Sequence, residues 1–440
     1  QRYQNGFDCQ GLWVEVEVER DLGMNSKQEI EQFGLAEFSR QCRERVNKFS
    51  KIQTQQSISL GQWMDWPNSY YTMSDTNVEY IWHFLKTCHE RGWLYRGHRA
   101  MPWCLRCETS LSQHEMLETY FEMTHTAVYV RFPIREREGE SLLVWTTTPW
   151  TLLANVAAAV HPELEYLRIR ADGNTVIAGA ETVHRIGIEG QDYEVLEVLR
   201  GRDLLGLHYR GPFDDLEAAR GIDHRVVAWE EVGSQEGTGI VHIAPGCGQE
   251  DFELSRTENL PIIQPVDETG TYVDGFGKFT GRSVDGLQEA ILDDLQSKGI
   301  LFKTEKYTHR YPSCWRCGKE LIFRLVDEWF ISSEEIRPQM REANQKVRWI
   351  PSYMQKRMDD WLVNMGDWCI SRKRYWGLPL PFYETEDGEL TVVGSRRELR
   401  ALAVDPAVVD GLPELHRPWI DAVEIRAPSG KIARRIPDVG

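Results

Sequence analysis

Two Cys-x-x-Cys pairs, Cys104-Leu-Arg-Cys107 and Cys314-Trp-Arg-Cys317, stand 206 residues apart in a chain of 440 residues. This spacing constrains the fold more than any other feature of the sequence. Each pair can place two thiolates on one metal ion, and two pairs complete a tetrahedral four-cysteine zinc site. A zinc ribbon ordinarily closes over about 15–20 residues. If one Zn2+ takes both pairs, residues 108–313 leave a junction and return to it. The pairs are alike: Met101-Pro102-Trp103 leads into one, Tyr311-Pro312-Ser313 into the other, and Arg106 and Arg316 precede the second cysteines. Two separate two-cysteine sites, with His114 as a further ligand of the first, or a redox dithiol are the alternatives. The nine cysteines are an odd number, which favours thiols or thiolates over a disulfide framework.

Composition narrows the class. A chain of this length suggests two to four domains. It contains no run of 18 apolar residues, so no membrane-spanning helix is expected. No basic-then-apolar leader opens it, and a cytoplasmic location is expected. The first residue is Gln1, in mid-pattern, so an internal piece of a longer protein is expected. The 51 basic against 68 acidic side chains, net −17, argue against a generic nucleic-acid coat. From Thr308 to Trp376 the sign reverses, with 13 Lys/Arg against 9 Asp/Glu, which leaves room for a local RNA-binding face.

Along the chain, Val14, Val16 and Val18 alternate with Glu15, Glu17 and Glu19, the period of a strand. Ser26-Lys27-Gln28-Glu29 has the pattern of a capping box, and apolar residues at helical spacing from Ile30 to Ile52 predict one long amphipathic helix. A second helix is expected from Ser74–Asn77 to Gly92. From about residue 125 short β-rich runs separated by Gly, Pro and Asp-Gly turns take over: Val128–Phe132, Leu142–Thr146, Tyr166–Ile169, Val176–Ala178, Tyr193–Leu199, Val226–Trp229 and Ile240–Ile243. A helix over Gly286–Lys298 closes this module. Residues 384–415 read as a polar excursion. The expected division is therefore 1–124 with a knuckle at 102–115, then 125–307, then 308–440 with a knuckle at 312–323.

Four runs carry chemistry. In Trp145-Thr146-Thr147-Thr148-Pro149-Trp150-Thr151, three adjacent hydroxyls precede a proline that ends a strand ladder, so some can face a cavity; a plain β-forming run is the alternative. In Gly237–Asp251, a glycine hinge leads into a strand carrying His242 and a Gly-Pro loop ending on Asp251. Such a loop lets backbone approach a ligand closely, unless His242 is a hydrogen-bonded strand residue and Asp251 a helix cap. Trp368–Gly377 interleaves Arg372, Lys373 and Arg374 with aromatics, which suits phosphate or an RNA end, or else is a solvated basic loop. Gly6–Leu12 is short and flanked by glycines.

Together these runs resemble the large editing aminoacyl-tRNA synthetases of class I, most closely their isoleucyl-tRNA synthetase branch. Gly6 to Glu15 reads GFDCQGLWVE against the family's G-[FW]-D-x-H-G-L-P-V-E, with Gln10 and Trp13 where the family has His and Pro. Thr146–Leu152 matches TTTPWTL, Gly237–Asp251 matches G-T-G-[IV]-V-H-x-A-P-x-x-G-x-[DE]-D, and Trp368–Pro381 matches W-C-I-S-R-x-R-x-W-G-x-P-x-P. The resemblance covers essentially the whole chain. It implies an α/β fold: a partial Rossmann-type catalytic domain interrupted by an inserted, mostly β editing domain, with zinc knuckles at the junction. The family's H-x-G-H signature would precede residue 1, and W-F-D-S-G and K-M-S-K-S would follow residue 440. This chain would then hold only part of the synthetic site and would not activate isoleucine alone.

The implied reaction is isoleucine–tRNA ligation: isoleucine and ATP, with Mg2+, form an adenylate, and the acyl group moves to tRNA(Ile). Asp8 would pair with the amino-acid ammonium, and Trp376 would wall the aliphatic side chain, unless Trp376 only packs the core. Valine enters any pocket that admits isoleucine; one methylene is worth only about 1–3 kcal/mol, a magnitude measured on isoleucine enzymes themselves. An aminoacyl-tRNA deacylase site must therefore clear Val-tRNA(Ile). In it, Asp251 would anchor the misacylated ammonium, Thr146, Thr147 and Thr148 would position adenosine, ester and water, with Trp145 beside them, and His242 would line the side-chain pocket. Positioned water attacking an activated ester needs no Ser or Cys nucleophile. A monomer is expected. The alternatives are a valyl-tRNA synthetase, disfavoured by Val241-His242, a free-standing deacylase, disfavoured by Asp8 and the 368–381 run, and a zinc-organised RNA-binding module without catalysis, disfavoured by the intact threonines and Asp251.

Overall fold

The computed structural model describes residues 3–116, 118–171, 173–186, 193–235 and 237–440; the side chains at 113, 114 and 185 lie outside that description, and with them the expectation for His114. By internal contacts the chain divides into two compact units, Gln1–His98 with Asp327–Gly440, and Arg99–Val326. The second unit contains both cysteine pairs as well as residues 125–307.

In the second unit, β-branched and aromatic runs bounded by turn residues form two sheets. A six-stranded sheet has the order Glu194–Arg200, Glu165–Ala171, Asn174–Gly179, Glu140–Thr146, Tyr120–Pro133, Leu301–Pro312. Its pairings are antiparallel except that between Glu140–Thr146 and Asn174–Gly179, which is parallel. A three-stranded sheet places Ala157–Val160 between Arg225–Ala228, parallel, and Val241–Ile243, antiparallel. All four residues of Ala157–Val160 are buried, as a strand enclosed on both faces requires. Val128, Val130, Phe132 and Val144 pack in one core with Ile291 and Leu295 of the closing helix Gln288–Ser297.

The first unit departs from the sequence reading in three places. Leu12–Leu22 is a helix, not a strand. Alternating Val and Glu satisfies both periods, and here the i, i+4 spacing decides. Val14 and Val18 share the core with Phe38 and Trp376, while Glu15 and Glu19 both hold Arg374. The long amphipathic helix is two, Lys27–Phe33 and Leu35–Ser59, because Gly34 at φ 103 cannot continue a helix. The first of these starts as expected, with the Ser26 hydroxyl accepting from the Glu29 N–H. Residues 384–415 are not an excursion. Phe382–Glu384 and Leu390–Val392 join Ile432–Arg435 and Glu424–Arg426 in a four-stranded antiparallel sheet, and Val392, Val393, Leu399, Val409 and Leu415 share a buried core with Trp82. The helix Asp75–Glu90 supplies Trp82; Ser74 caps its start, and Gly92 at φ 72 follows its end. Among the described residues no helix is long and apolar enough to cross a membrane.

Candidate functional site

The threonine run ends its strand at Thr146, and Thr148 becomes the N-cap of a short 3-10 helix, Pro149–Ala154. Proline at its first position stops the ladder and turns the hydroxyls out of the sheet. They meet in a chain. The Thr148 N–H donates to Thr146 Oγ1 at 3.1 Å, and Thr148 Oγ1 lies 3.2 Å from Thr146 Oγ1. The Thr151 hydroxyl donates to the Thr148 carbonyl at 2.8 Å and lies 2.9 Å from His242 Nε2. Thr147 is half-buried between them. His242 pairs across the strands with Ala158, whose small side chain leaves room for the ring. Burial pulls the imidazole down to about 4, so it is neutral at pH 7.

Asp251 sits in the first turn of the helix Gln249–Glu258, whose N-cap is Gly248. Its carboxylate accepts the Ala244 N–H at 2.8 Å and so ties the helix to the end of the His242 strand. Burial pushes the carboxyl up to about 6, against the lowering effect of that hydrogen bond. The sequence reading used the glycines of this run for approach to a ligand; all four approach protein, Gly248 the Asp251 carboxyl. A Cβ on Gly246 would meet the Ile263 carbonyl oxygen at 1.9 Å, one on Gly239 the Gly179 Cα at 3.1 Å, and one on Gly237 the Trp145 ring at 2.8 Å. Trp145 is half-buried and meets Tyr307 edge-on, with centroids 5.1 Å apart.

In the first unit, Asp8 is exposed, and Thr72 Oγ1 donates to it at 3.4 Å. Trp376 has no exposed surface, stacks on His416 with centroids 4.8 Å apart, and donates from Nε1 to the Cys9 carbonyl at 2.7 Å. It therefore packs the core and fixes the Asp8 loop through Cys9. Gln10 replaces the family's histidine and reaches His416 Nε2 at 2.5 Å; Trp13 is 43% exposed. Arg374 is not available to a polyanion: it is buried between Glu15 and Glu19.

The four sulfurs of Cys104, Cys107, Cys314 and Cys317 lie within 4.8 Å of one another, and Cys104 and Cys317 are 3.4 Å apart. Zn–S bonds of about 2.3 Å imply S···S edges of about 3.8 Å in a tetrahedron, so the residues fit such an ion. The two pairs also share one turn. The Glu108 N–H donates to the Cys104 carbonyl and the Gly318 N–H to the Cys314 carbonyl, both at 2.7 Å, and both turn residues have positive φ, 48 and 77. Hydrogen bonding from the Cys104 thiol holds the Cys314 thiol far below its usual range. One grouping, not two separate pairs, is what the chain presents.

Sequence reasoning missed two participants. Thr151 stood inside a quoted run without a role, and Glu15 stood inside another but was read as a strand residue. The signal for Glu15 was its i, i+4 relation to Glu19, with one cation-rich run far downstream.

The family model for tRNA synthetases class I (I, L, M and V) matches residues 1–414. The curated isoleucine–tRNA ligase of Pyrococcus horikoshii is 40% identical over 474 aligned positions, covering 99% of this chain and 44% of its own length. That of Methanopyrus kandleri is 42% identical, covering 100% of this chain and 43% of its own. That of Methanothermobacter marburgensis is 41% identical, covering 100% and 42%. The chain spans less than half the length of these relatives.

Proposed function

The chain belongs to the class I tRNA synthetases of the I, L, M and V group, and from that membership we propose that it is part of an isoleucine–tRNA ligase carrying an aminoacyl-tRNA deacylase unit. The observation that carries the proposal is 40–42% identity to relatives of that name along 99–100% of the chain. Residues 125–307, within the Arg99–Val326 unit, are the editing insert with the knuckles at its base, and the other unit is part of the Rossmann-type catalytic domain. The whole protein joins isoleucine to tRNA(Ile) using ATP and Mg2+, as a cytoplasmic monomer.

In this reading, Asp251 holds the ammonium of valine esterified to tRNA(Ile), and Thr146, Thr147 and Thr148 orient the terminal adenosine, the ester and a water. Neutral His242 lines the side-chain pocket, and Trp145 supports the hinge beside it. Asp8 binds the ammonium of isoleucine in the synthetic site, and Trp376 fixes the Asp8 loop. The clustered cysteines hold one Zn2+, which closes residues 108–313 into a loop with a fixed base and does no chemistry on the ester. The editing rate comes from orientation of water against an ester that is already activated.

The test is hydrolysis of Val-tRNA(Ile) beside Ile-tRNA(Ile) by the purified chain. The proposal expects fast clearance of the valyl ester and slow clearance of the isoleucyl ester. Equal rates on both esters, or none on either, refute it.

A further inference from the structure

We infer that Thr151 fixes the tautomer of His242, making its Nδ1 a buried acceptor for one hydrogen-bond donor of the editing reaction. The inference rests on the editing reading above and adds a positioning residue to it.

Thr151 Oγ1 is 2.8 Å from the Thr148 carbonyl oxygen and 2.9 Å from His242 Nε2. The Thr148 carbonyl also accepts the Thr151 N–H at 3.0 Å; a hydroxyl turned to Nε2 instead would leave a buried Nδ1–H without an acceptor, so the Thr151 proton is placed on Thr148. The contact to His242 must then be a bond from Nε2–H to the Thr151 oxygen. A neutral imidazole carries one N–H, so Nδ1 presents a lone pair. Among the described residues that atom is buried and has no hydrogen-bond partner, in a side chain only 7% exposed. Buried acceptors are nearly always paired in folded proteins, so an unpaired one beside a row of hydroxyls points to an absent donor. Two donors have the right chemistry: the attacking water and the α-ammonium of the ester. Thr148 links the relay to Thr146, so the orientation of the ring is set by the same turn that presents the threonines.

The test uses the full chain labelled with 15N-histidine. The signal lost in His242→Gln should report a protonated Nε2 and an unprotonated Nδ1. Thr151→Val, which keeps the shape and removes the hydroxyl, should mix or invert the tautomer and slow Val-tRNA hydrolysis about tenfold, the equivalent of about 1.4 kcal/mol. Thr151→Ser should keep the tautomer and stay within about twofold of the parent rate. In a His242→Gln background, Thr151→Val should add nothing. An isovaleryl ester, which lacks the amine, separates the donors: an undiminished His242→Gln defect on it identifies water, and its disappearance identifies the ammonium. An unchanged tautomer in Thr151→Val, or additive effects of the two substitutions, overturns the inference. If the parent chain hydrolyses no ester, the editing reading fails, and the 15N signal still judges Thr151.

Discussion

Arg374→Ala removes the guanidinium held between two carboxylates that have almost no access to water. Glu15 is 0% exposed, Glu19 2% and Arg374 2%. The guanidinium meets Glu15 Oε2 through Nε at 2.7 Å and Nη2 at 2.6 Å, and bonds Glu19 through Nη2 as well. The other oxygen of Glu15 accepts the backbone N–H groups of Tyr375 at 3.0 Å and Trp376 at 2.5 Å. Removing one partner of a buried ion pair costs about 3–5 kcal/mol, because the remaining charge stays buried without compensation. For a unit of roughly 200 residues each kcal/mol moves the melting midpoint by about 2–4 °C, so the loss is about 6–20 °C. Thermal melting followed by near-ultraviolet circular dichroism measures it. A triple change to apolar residues, Glu15→Leu, Glu19→Leu and Arg374→Met, should recover part of the loss. Recovery stays incomplete because the N–H groups at 375 and 376 lose their acceptor. A midpoint for Arg374→Ala within 2 °C of the parent, with loss of RNA binding instead, would refute the reasoning and return Arg374 to a polyanion-binding role.

Three further outcomes follow from the second unit. Mass-spectrometric metal analysis should find one zinc per chain and less than about a tenth of that in Cys107→Ser; two zinc ions per chain contradict the single grouping. Asp251 has a folded-state carboxyl pushed up to about 6 by burial, above its ordinary range. It thus favours the folded state at pH below about 4 and loses that contribution as pH rises through 6. Asp251→Asn should therefore raise the denaturation midpoint at pH 7 and change it little at pH 4. The deacylation rate of the parent should fall below about pH 6 as the carboxylate is protonated, and a rate flat from pH 5 to 8 excludes an essential Asp251 carboxylate.

What could be read from the sequence was what local chemistry decides alone. Ser74 and Ser26 announce helix starts because their hydroxyls satisfy backbone donors within the same turn. The β-rich module was legible because Gly, Pro and Asp-Gly turns bound runs of β-branched residues. What failed depended on distant partners. Val and Glu alternate over 14–19 as in a strand, and only Arg374, some 355–359 residues away, makes Glu15 and Glu19 useful on one helix face. The apolar residues of 384–415 come in runs of at most four, broken by charges, on short elements such as Arg396–Leu402 and Pro406–Asp410 that are too brief to show a period. The site was visible as residue types and invisible as bonding: the run from Trp145 to Thr151 named every hydroxyl, but not that Thr151 reaches His242, 91 residues on. The glycines near it were read as room for a ligand, where they are room for Ile263, Gly179 and Trp145.

The most direct measurement is the rate at which Val-tRNA(Ile) is hydrolysed by this chain and by its Asp251→Ala variant at pH 7.5, both first shown to melt cooperatively. The account predicts rapid hydrolysis by the parent and a loss of about a hundredfold or more in the variant, as removal of a substrate-anchoring charge implies. Equal hydrolysis by both proteins would contradict it.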